Sequence, residues 1–113
     1  MSDERPTDPE AALARLLDIM ARLRDPQSGC PWDVKQTMQS LTRYTIEEAY
    51  EAVDAIERGA PDEIKDELGD LLFQIVFYAQ IGNESQQFDF TDIANAISDK
   101  MVRRHPHVFG EST

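Results

Sequence analysis

Two pairs of acidic residues share a spacing that could support chemistry. Glu48 and Glu51 are three residues apart, and so are Glu67 and Asp70. In an α-helix this spacing places both carboxylates of a pair on one side of the helix. Two helices joined by a short break pack as antiparallel neighbours, which can bring all four carboxylates together. Hard divalent cations such as Mg²⁺ or Mn²⁺ prefer oxygen ligands, so the pattern indicates a candidate metal site.

An alternative interpretation treats these acids as ordinary surface charges. They would then form ion pairs with nearby basic residues, which are Lys35, Arg43, Arg58 and Lys65. Spacing alone leaves both interpretations open. The flanking residues make the metal interpretation more specific, because they are small or apolar rather than long and polar. Those beside Glu48 are Tyr44, Ala52 and Ala55. Carboxylates on the inside of a helical bundle are unfavourable unless they are paired or bind metal.

Four predicted helices must position these residues, and no strand pattern exceeds a few residues. Apolar residues at helical spacing, with proline or glycine at the ends, place the helices near 9–24, 41–58, 62–82 and 91–104. Asp8 and Asp62 are the expected N-caps of the first and third helices. The segment 25–40 is expected to be a surface connection with a short helical turn near 33–38. We therefore predict an all-α fold.

The second and third predicted helices each have an apolar side. On the second helix we expect the core-facing stripe to lie almost opposite Glu48 and Glu51 and to consist of Ile46, Ala49, Val53 and Ile56. The third helix carries one polar stripe, formed by Glu63, Glu67, Asp70 and Gln74. The rest of its second half, LLFQIVFYAQI, is apolar nearly all round. Such a helix must be enclosed by neighbouring helices or by a second subunit.

The fourth predicted helix carries the main cluster of cationic residues. Its inward stripe is expected to contain Ile93, Ile97 and Met101. Lys100 and Arg104 continue that stripe and Arg103 flanks it, so these cations could contact phosphate oxygens or the clustered carboxylates. The alternative is that they extend into solvent or cap the C-terminus of the helix.

The segment 25–40 contributes two further candidates. Trp32 could stack on a nucleobase or could anchor the segment to the bundle, and we favour the anchor. Cys30 is interpreted as a small packed residue rather than a nucleophile. Elsewhere, His105 and His107 form an H-x-H pair, which without cysteines is a weak indication of a zinc site.

Composition excludes several classes of function. The chain has 113 residues, 11 Lys+Arg and 22 Asp+Glu, which gives a formal net charge of −11. This charge disfavours nucleic-acid binding through a basic face and disfavours an anionic membrane surface. No apolar run approaches the length of a membrane span. The single cysteine fits a reducing cytoplasm.

The acidic pattern, taken with its context, resembles a known family. Glu47-Glu48-x-x-Glu51 followed by Glu67-x-x-Asp70 is similar to the EExxE…ExxD pattern of the all-α nucleoside triphosphate pyrophosphohydrolases. The wider match to the MazG branch consists of LLDIMARLRDPQSGCPWD, YTIEEAYE, ELGDLLFQIVFYAQ and ISDKMVRRHPHVF. The resemblance implies a bundle of four to five helices that is completed by dimerisation. It also implies one helical domain over 9–110, after a disordered lead over 1–8 and before a tail over 111–113.

The resemblance further implies Mg²⁺-dependent hydrolysis of nucleoside triphosphates between the α- and β-phosphates, and Mn²⁺ could substitute for Mg²⁺. The implied role of this reaction is house-cleaning of the nucleotide pool. Four metal ligands are implied: Glu48, Glu51, Glu67 and Asp70. Glu47 would position water or act as general base. Expected substrate-binding residues are Trp32, Lys100, Arg103 and Arg104. The family also implies a cytoplasmic homodimer or dimer of dimers that binds neither nucleic acid nor membrane.

A second prediction belongs to a different functional class. The chain could be a weakly active or silent MazG-type domain that serves mainly dimerisation in a larger protein. This alternative is favoured by Tyr44, which stands where active family members tend to have a basic residue, and by the short segment after Phe109. The intact acidic set favours the enzyme, because a purely structural domain gains little from converging carboxylates. A third possibility is a helical interaction module that binds no metal.

Overall fold

A computed structural model describes residues 5–110 of the chain. Within that range it contains six α-helices and no β-strand. The helices are α1 (Pro9–Leu23), α2 (Pro31–Lys35), α3 (Met38–Arg58), α4 (Pro61–Glu84), α5 (Phe90–Arg104) and α6 (Pro106–Phe109). The prediction of an all-α fold is confirmed. Half of the predicted lead, 1–4, and the whole predicted tail, 111–113, lie outside the described residues.

Side-chain caps determine where several helices begin. The carboxylate of Asp8 accepts a hydrogen bond from the Ala11 amide at 2.8 Å, as predicted for the start of α1. Helix α3 begins three residues earlier than predicted, because Thr37 and Ser40 form a reciprocal capping box. Asp89 and Asp92 form the same arrangement at the start of α5.

Helices α3 and α4 form an antiparallel hairpin with the most extensive helix contact in the fold. Gly59 ends α3 with a φ of 79°, a left-handed conformation that glycine adopts without strain. Pro61 then occupies the first turn of α4, and Ala60 precedes it without a side-chain cap. The prediction that Asp62 caps this helix is therefore wrong. An ion pair between Arg58 and Glu63 spans the turn.

Helix α4 lies at the centre and contacts α1, α3 and α5. The core cluster consists of Met20 from α1, Leu41 from α3, and Val76 and Phe77 from α4. Partly buried residues pack around it, including Leu16, Leu17, Tyr44, Phe73 and Tyr78. Helix α4 also buries Ala79 and Gly82, so much of the circumference of its second half is covered by neighbouring helices.

The predicted core stripe of α3 is wrong for three of its four residues in the single chain, and the fourth, Ala49, is partly buried. Ile46, Val53 and Ile56 are 58%, 50% and 51% exposed, whereas Ala52 and Ala55 are buried. The small alanines let the backbones of α3 and α4 approach closely, so the side that carries Glu48 packs inward. The larger apolar residues of α3 consequently face away from the core.

Other large apolar residues are also exposed in the single chain. Those on α4 are Leu68, Leu72 and Ile75. On α5, Ile97 was expected to face inward but is half exposed, because α5 contacts only α4 and α6 extensively. Within residues 5–110, no helix combines the length and the apolar character that a membrane crossing requires.

Candidate active site

Three of the four predicted ligand carboxylates converge between α3 and α4. One oxygen each from Glu48, Glu67 and Asp70 lies within 4.8 Å of the other two. Glu67 and Asp70 share one side of α4 because they are three residues apart. Glu48 reaches them from α3, across the close approach that the buried alanines allow. The predicted meeting of acids from two adjoining helices is therefore present in the structure.

Glu48 is the least solvated member of this carboxylate cluster. Its Oε1 atom is buried and has no hydrogen-bond partner among the described residues. Desolvation by burial, together with the charges of Asp70, Glu67 and Glu51, raises the pKa of the Glu48 carboxyl above its ordinary value. Desolvation and the charges of Asp70 and Glu51 likewise raise the pKa of Glu67. Both carboxyls are thus unfavourable as anions without a counter-charge.

No cation of the described chain supplies that counter-charge at salt-bridge distance. Arg58, one of the basic partners that the surface interpretation proposed, instead pairs with Asp54 and Glu63. Residues 5–110 contain no ion pair that involves Glu48, Glu67 or Asp70. The interpretation of these acids as paired surface charges is therefore wrong for the converging set.

The residues present fit a divalent cation. Carboxylate oxygens are hard donors of the type that Mg²⁺ and Mn²⁺ prefer, and three of them converge. A cation bound at Glu48 Oε1 would supply the partner that this buried oxygen lacks. The cluster meets solvent on its α4 side, where Asp70 is exposed.

Glu51 and Glu47 lie beside this cluster rather than in it. Both are exposed, and Glu51 is not among the three residues whose oxygens converge. Its charge is close enough to raise the pKa of both Glu48 and Glu67. Glu47 has a smaller effect of the same sign on Glu48. Both residues therefore contribute to the negative field at the site.

A buried polar network lies along the same interface, one turn further into the bundle. The Thr45 hydroxyl donates to Gln74 Oε1 at 3.0 Å and lies 2.5 Å from the Tyr78 hydroxyl. Gln74 is 9% exposed and follows Asp70 by one turn of α4. These bonds fix the register of α3 against α4, which determines the positions of the carboxylates. Sequence reasoning placed Gln74 on the acidic stripe but did not predict the network.

An aromatic contact joins α2 to α3 near the carboxylate cluster. Trp32, at the start of α2, meets Tyr44 edge to face with ring centroids 5.8 Å apart. Tyr44 is one turn before Glu48 on α3, and the Arg43 guanidinium lies 5.2 Å from its ring centroid. Trp32 is 49% exposed, so about half of its side chain remains open to solvent beside this contact.

Comparison with known proteins identifies the family. Residues 36–109 match the model of the MazG nucleotide pyrophosphohydrolase domain, which is more than half of the chain. The chain belongs to the MazG family. A nucleoside triphosphate pyrophosphohydrolase of Escherichia coli K12 is 61% identical over 99 residues, which is 88% of this chain and 38% of that protein.

Two further relatives carry similar names. The nucleoside triphosphate pyrophosphohydrolase/pyrophosphatase MazG of Thermotoga maritima is 50% identical over 97 residues, which is 86% of this chain and 38% of that protein. A nucleoside triphosphate pyrophosphohydrolase of Mycobacterium tuberculosis is 42% identical over 101 residues, which is 87% of this chain and 31% of that protein. The chain thus spans less than half the length of these MazG relatives.

The predicted substrate-binding cations of the MazG domain lie on α5 and do not bind the carboxylate cluster within the described residues. Lys100 is partly buried, whereas Arg103 and Arg104 are exposed in the last turn of the helix. Within residues 5–110, no hydrogen bond or ion pair joins them to the acids. A direct contact between these cations and the carboxylates is therefore absent from the described chain, and phosphate binding stays a prediction.

The remaining sequence candidates carry no metal-binding geometry in the described chain. His105 Nδ1 is 2.7 Å from the Met101 carbonyl, and its ring centroid lies 5.6 Å from that of His107. Neither histidine belongs to a group of three ligands in the part of the chain that is described. Cys30 is partly buried at the N-cap of α2, which agrees with its interpretation as a packed residue.

Proposed function

We propose that this MazG-family chain hydrolyses nucleoside triphosphates between the α- and β-phosphates. One water is consumed, the phosphoanhydride bond between these phosphates breaks, and a nucleoside monophosphate and pyrophosphate are released. The observation that carries the proposal is the buried, unpaired Glu48 oxygen facing two further carboxylates. The printed names of the relatives describe the same activity in those proteins.

We assign the metal site to Glu48, Glu67 and Asp70, with Glu51 as a fourth ligand from the next turn of α3. Mg²⁺ is the proposed ion, and Mn²⁺ a substitute, because all four groups offer carboxylate oxygens. When bound, the ion supplies neutralisation of phosphate charge and activation of water. The chain itself has a net charge of −11, so its acids would otherwise repel a triphosphate.

The protein residues divide the remaining work in this proposal. Glu47, exposed beside Glu48, orients the attacking water or accepts its proton. Trp32 offers its open ring face to the nucleobase. Lys100, Arg103 and Arg104 bind phosphate oxygens through charge-assisted hydrogen bonds. Phosphoryl chemistry requires mainly such positioning and electrostatic stabilisation from the protein.

We also propose that the chain acts as at least a homodimer. The support is the apolar side of α3 that faces away from the core, formed by Ile46, Val53 and Ile56, and the exposed residues of α4, which are Leu68, Leu72 and Ile75. Large apolar side chains exposed in such numbers are typical of interaction sites. The same surface supports the second candidate function, a weakly active domain whose main role is dimerisation.

Pyrophosphate release from a panel of nucleoside triphosphates with Mg²⁺ separates the two functions. Chromatography of the products distinguishes monophosphate plus pyrophosphate from diphosphate plus phosphate. The negative control is the double variant Glu48→Gln/Glu67→Gln, and the matched positive control is Glu57→Gln, the same change at an exposed position of α3. Release by the unaltered chain that is no greater than release by the double variant would exclude the enzyme and leave the dimerisation domain.

A further inference from the structure

A single guanidinium holds the connection between α1 and α3. Arg24 follows α1, and its side chain is 9% exposed. Its Nη1 atom donates to the carbonyls of Asp33 at 2.7 Å, Val34 at 3.3 Å and Gln36 at 2.9 Å. These carbonyls lie at the C-terminal end of α2, where a helix leaves its acceptors without internal partners. A positive charge is also favourable at that end.

Few other contacts hold α2, and its start is tied to α1 by the hydrogen bond from the Cys30 amide to the Leu23 carbonyl at 2.9 Å. The helix has five residues, none of which is buried, and its N-cap makes no side-chain hydrogen bond. A single helical turn is not stable in water by itself, because nucleation fixes several residues for one hydrogen bond. Apolar burial therefore contributes little to holding α2, and the hydrogen bonds from Arg24 are the main tether of its C-terminal end.

The other edge of the same guanidinium binds α4. Arg24 Nη2 and Nε donate to the two carboxylate oxygens of Glu84 at 2.6 and 3.1 Å. The guanidinium carbon lies 5.7 Å from the centroid of the buried Phe77 ring. Hydrogen bonding from Arg24 lowers the pKa of the Glu84 carboxyl below its ordinary value. Only arginine presents donors on two edges in this planar form.

The segment tethered in this way carries the aromatic contact beside the carboxylate cluster. Trp32 on α2 meets Tyr44 on α3, and Tyr44 precedes Glu48 by one turn. Gln36, whose carbonyl Arg24 binds, also donates from its amide to the Trp32 carbonyl at 2.9 Å. Continuous contacts therefore connect the Arg24–Glu84 pair with the edge of the candidate site.

We propose that Arg24 is a positioning residue, whose bidentate pair with Glu84 holds α2 in a clamp that keeps Trp32 against Tyr44. In this position, Trp32 sets the affinity for the nucleoside part of the substrate. The positioning of Trp32 is independent of any activity. The effect on substrate affinity rests on the proposed function.

Trp32 is the only tryptophan of the chain, so its fluorescence reports on α2 without labelling. We expect Arg24→Gln to raise the acrylamide quenching of Trp32 and to shift its emission to longer wavelength, with far-UV circular dichroism retained. Glu84→Gln should change both in the same direction but less, because the carbonyl contacts remain. The matched control is Arg22→Gln, which removes an arginine that pairs with Asp18 at 3.1 Å on the exposed face of α1. It should leave both signals unchanged.

Steady-state kinetics test the second half of the proposal. We expect Arg24→Gln to raise KM for the nucleoside triphosphate about tenfold with kcat retained, because the apparent affinity falls with the fraction of chains that keep Trp32 in position, and we take that fraction to fall to about one tenth. Arg24→Lys should also raise KM, but by less than Arg24→Gln, since lysine cannot bind the α2 carbonyls and Glu84 at once. Quenching that is unchanged in both Arg24→Gln and Glu84→Gln overturns the clamp. Altered quenching with an unchanged KM overturns the role in substrate affinity.

Misfolding of a variant and failure of the proposed function can each be distinguished from failure of the clamp. If Arg24→Gln loses its helical circular dichroism, Glu84→Gln alone decides, because it leaves the guanidinium and its carbonyl bonds in place. If the unaltered chain hydrolyses no triphosphate, the proposed function and the substrate half of this inference fail together. The fluorescence comparison still decides whether Arg24 positions Trp32.

Discussion

Replacement of Glu48 by glutamine tests the central feature of the candidate site. The substitution keeps the size of the side chain, removes its charge and adds an amide donor beside the oxygens of Glu67 and Asp70. In the structure, Glu48 Oε1 is buried without a partner, and the three carboxylates converge within 4.8 Å. We therefore expect Glu48→Gln to make the metal-free chain more stable and to remove its response to Mg²⁺.

The size of the effect follows from the burial of that oxygen. A buried acceptor without a partner costs about 1–3 kcal/mol, and we take about 1 kcal/mol because only one of the two oxygens is buried. For a domain of this size, that change in the free energy of unfolding raises Tm by about 4–6 °C. Mg²⁺ at a concentration a hundred times its Kd would stabilise the unaltered chain by about 2.7 kcal/mol. The order of stability of the two proteins should thus reverse between chelator and Mg²⁺.

Thermal unfolding followed by far-UV circular dichroism, in chelator and in Mg²⁺, measures this reversal. Glu57→Gln is the matched control, because Glu57 is exposed and lies about half a turn around α3 from Glu48. It should change neither Tm nor the Mg²⁺ response. A Glu48→Gln chain that is less stable than the unaltered chain in chelator would refute the reasoning, since Glu48 would then have a stabilising partner in the metal-free state.

Three other predictions follow from the same arrangement. Asp70→Asn should weaken Mg²⁺ binding in titration calorimetry and lower pyrophosphate release while the fold is kept; unfolding in metal-free buffer would instead make Asp70 structural. Because burial and like charges raise the pKa of Glu48 and Glu67, their protonated forms favour the folded chain. Their contribution to stability in chelator should accordingly be complete below their ordinary pKa and be lost as the pH rises through the raised values. The gain in Tm from Glu48→Gln in chelator should therefore be larger above the raised pKa than below the ordinary one. Val53→Glu should reduce the particle mass in light scattering to that of a monomer, whereas a monomeric mass for the unaltered chain would contradict the proposed dimer.

The positions of the helices could be predicted from the sequence because the signals are local. Proline and glycine mark the ends, and apolar residues recur at the helical period. The errors at the ends have local causes as well. Helix α3 starts early because Ser40 completes a capping box with Thr37, a pattern that differs from the usual one with glutamate or glutamine. The short helix α6 was missed because a single turn has too few residues to show a period.

The inward side of α3 could not be predicted in the same way. The periodicity gives this helix two apolar sides, one with Ile46 and Val53 and one with Ala52 and Ala55. Larger side chains bury more apolar area, so the sequence favoured the side with Ile46 and Val53 as the core-facing one, which is wrong. The structure instead packs the alanines against α4, because their small size allows the close approach. Periodicity shows that a side of a helix is apolar, but it does not distinguish a side that packs within its own chain from one that packs against a second copy.

The candidate site was predictable to the extent that it depends on local spacing. The separations of Glu67 from Asp70 and of Glu48 from Glu51 follow from helix geometry. The meeting of Glu48 with Glu67 and Asp70 follows from the antiparallel hairpin. The bond from Thr45 to Gln74 joins residues 29 positions apart, and the pair of Arg24 and Glu84 joins residues 60 apart. Such contacts depend on tertiary register and rotamers, which no local pattern specifies.

Helix α3 connects the two main proposals physically. Its inward side presents Glu48 to α4, and its outward side presents Ile46 and Val53 to solvent in the single chain. Converging carboxylates push α3 away from α4 in the metal-free state, whereas the bonds of Thr45 hold the two helices together. A second copy that covered the outward side would oppose the same separation. We therefore infer that metal binding and dimerisation stabilise one conformation of this hairpin, so that each should strengthen the other.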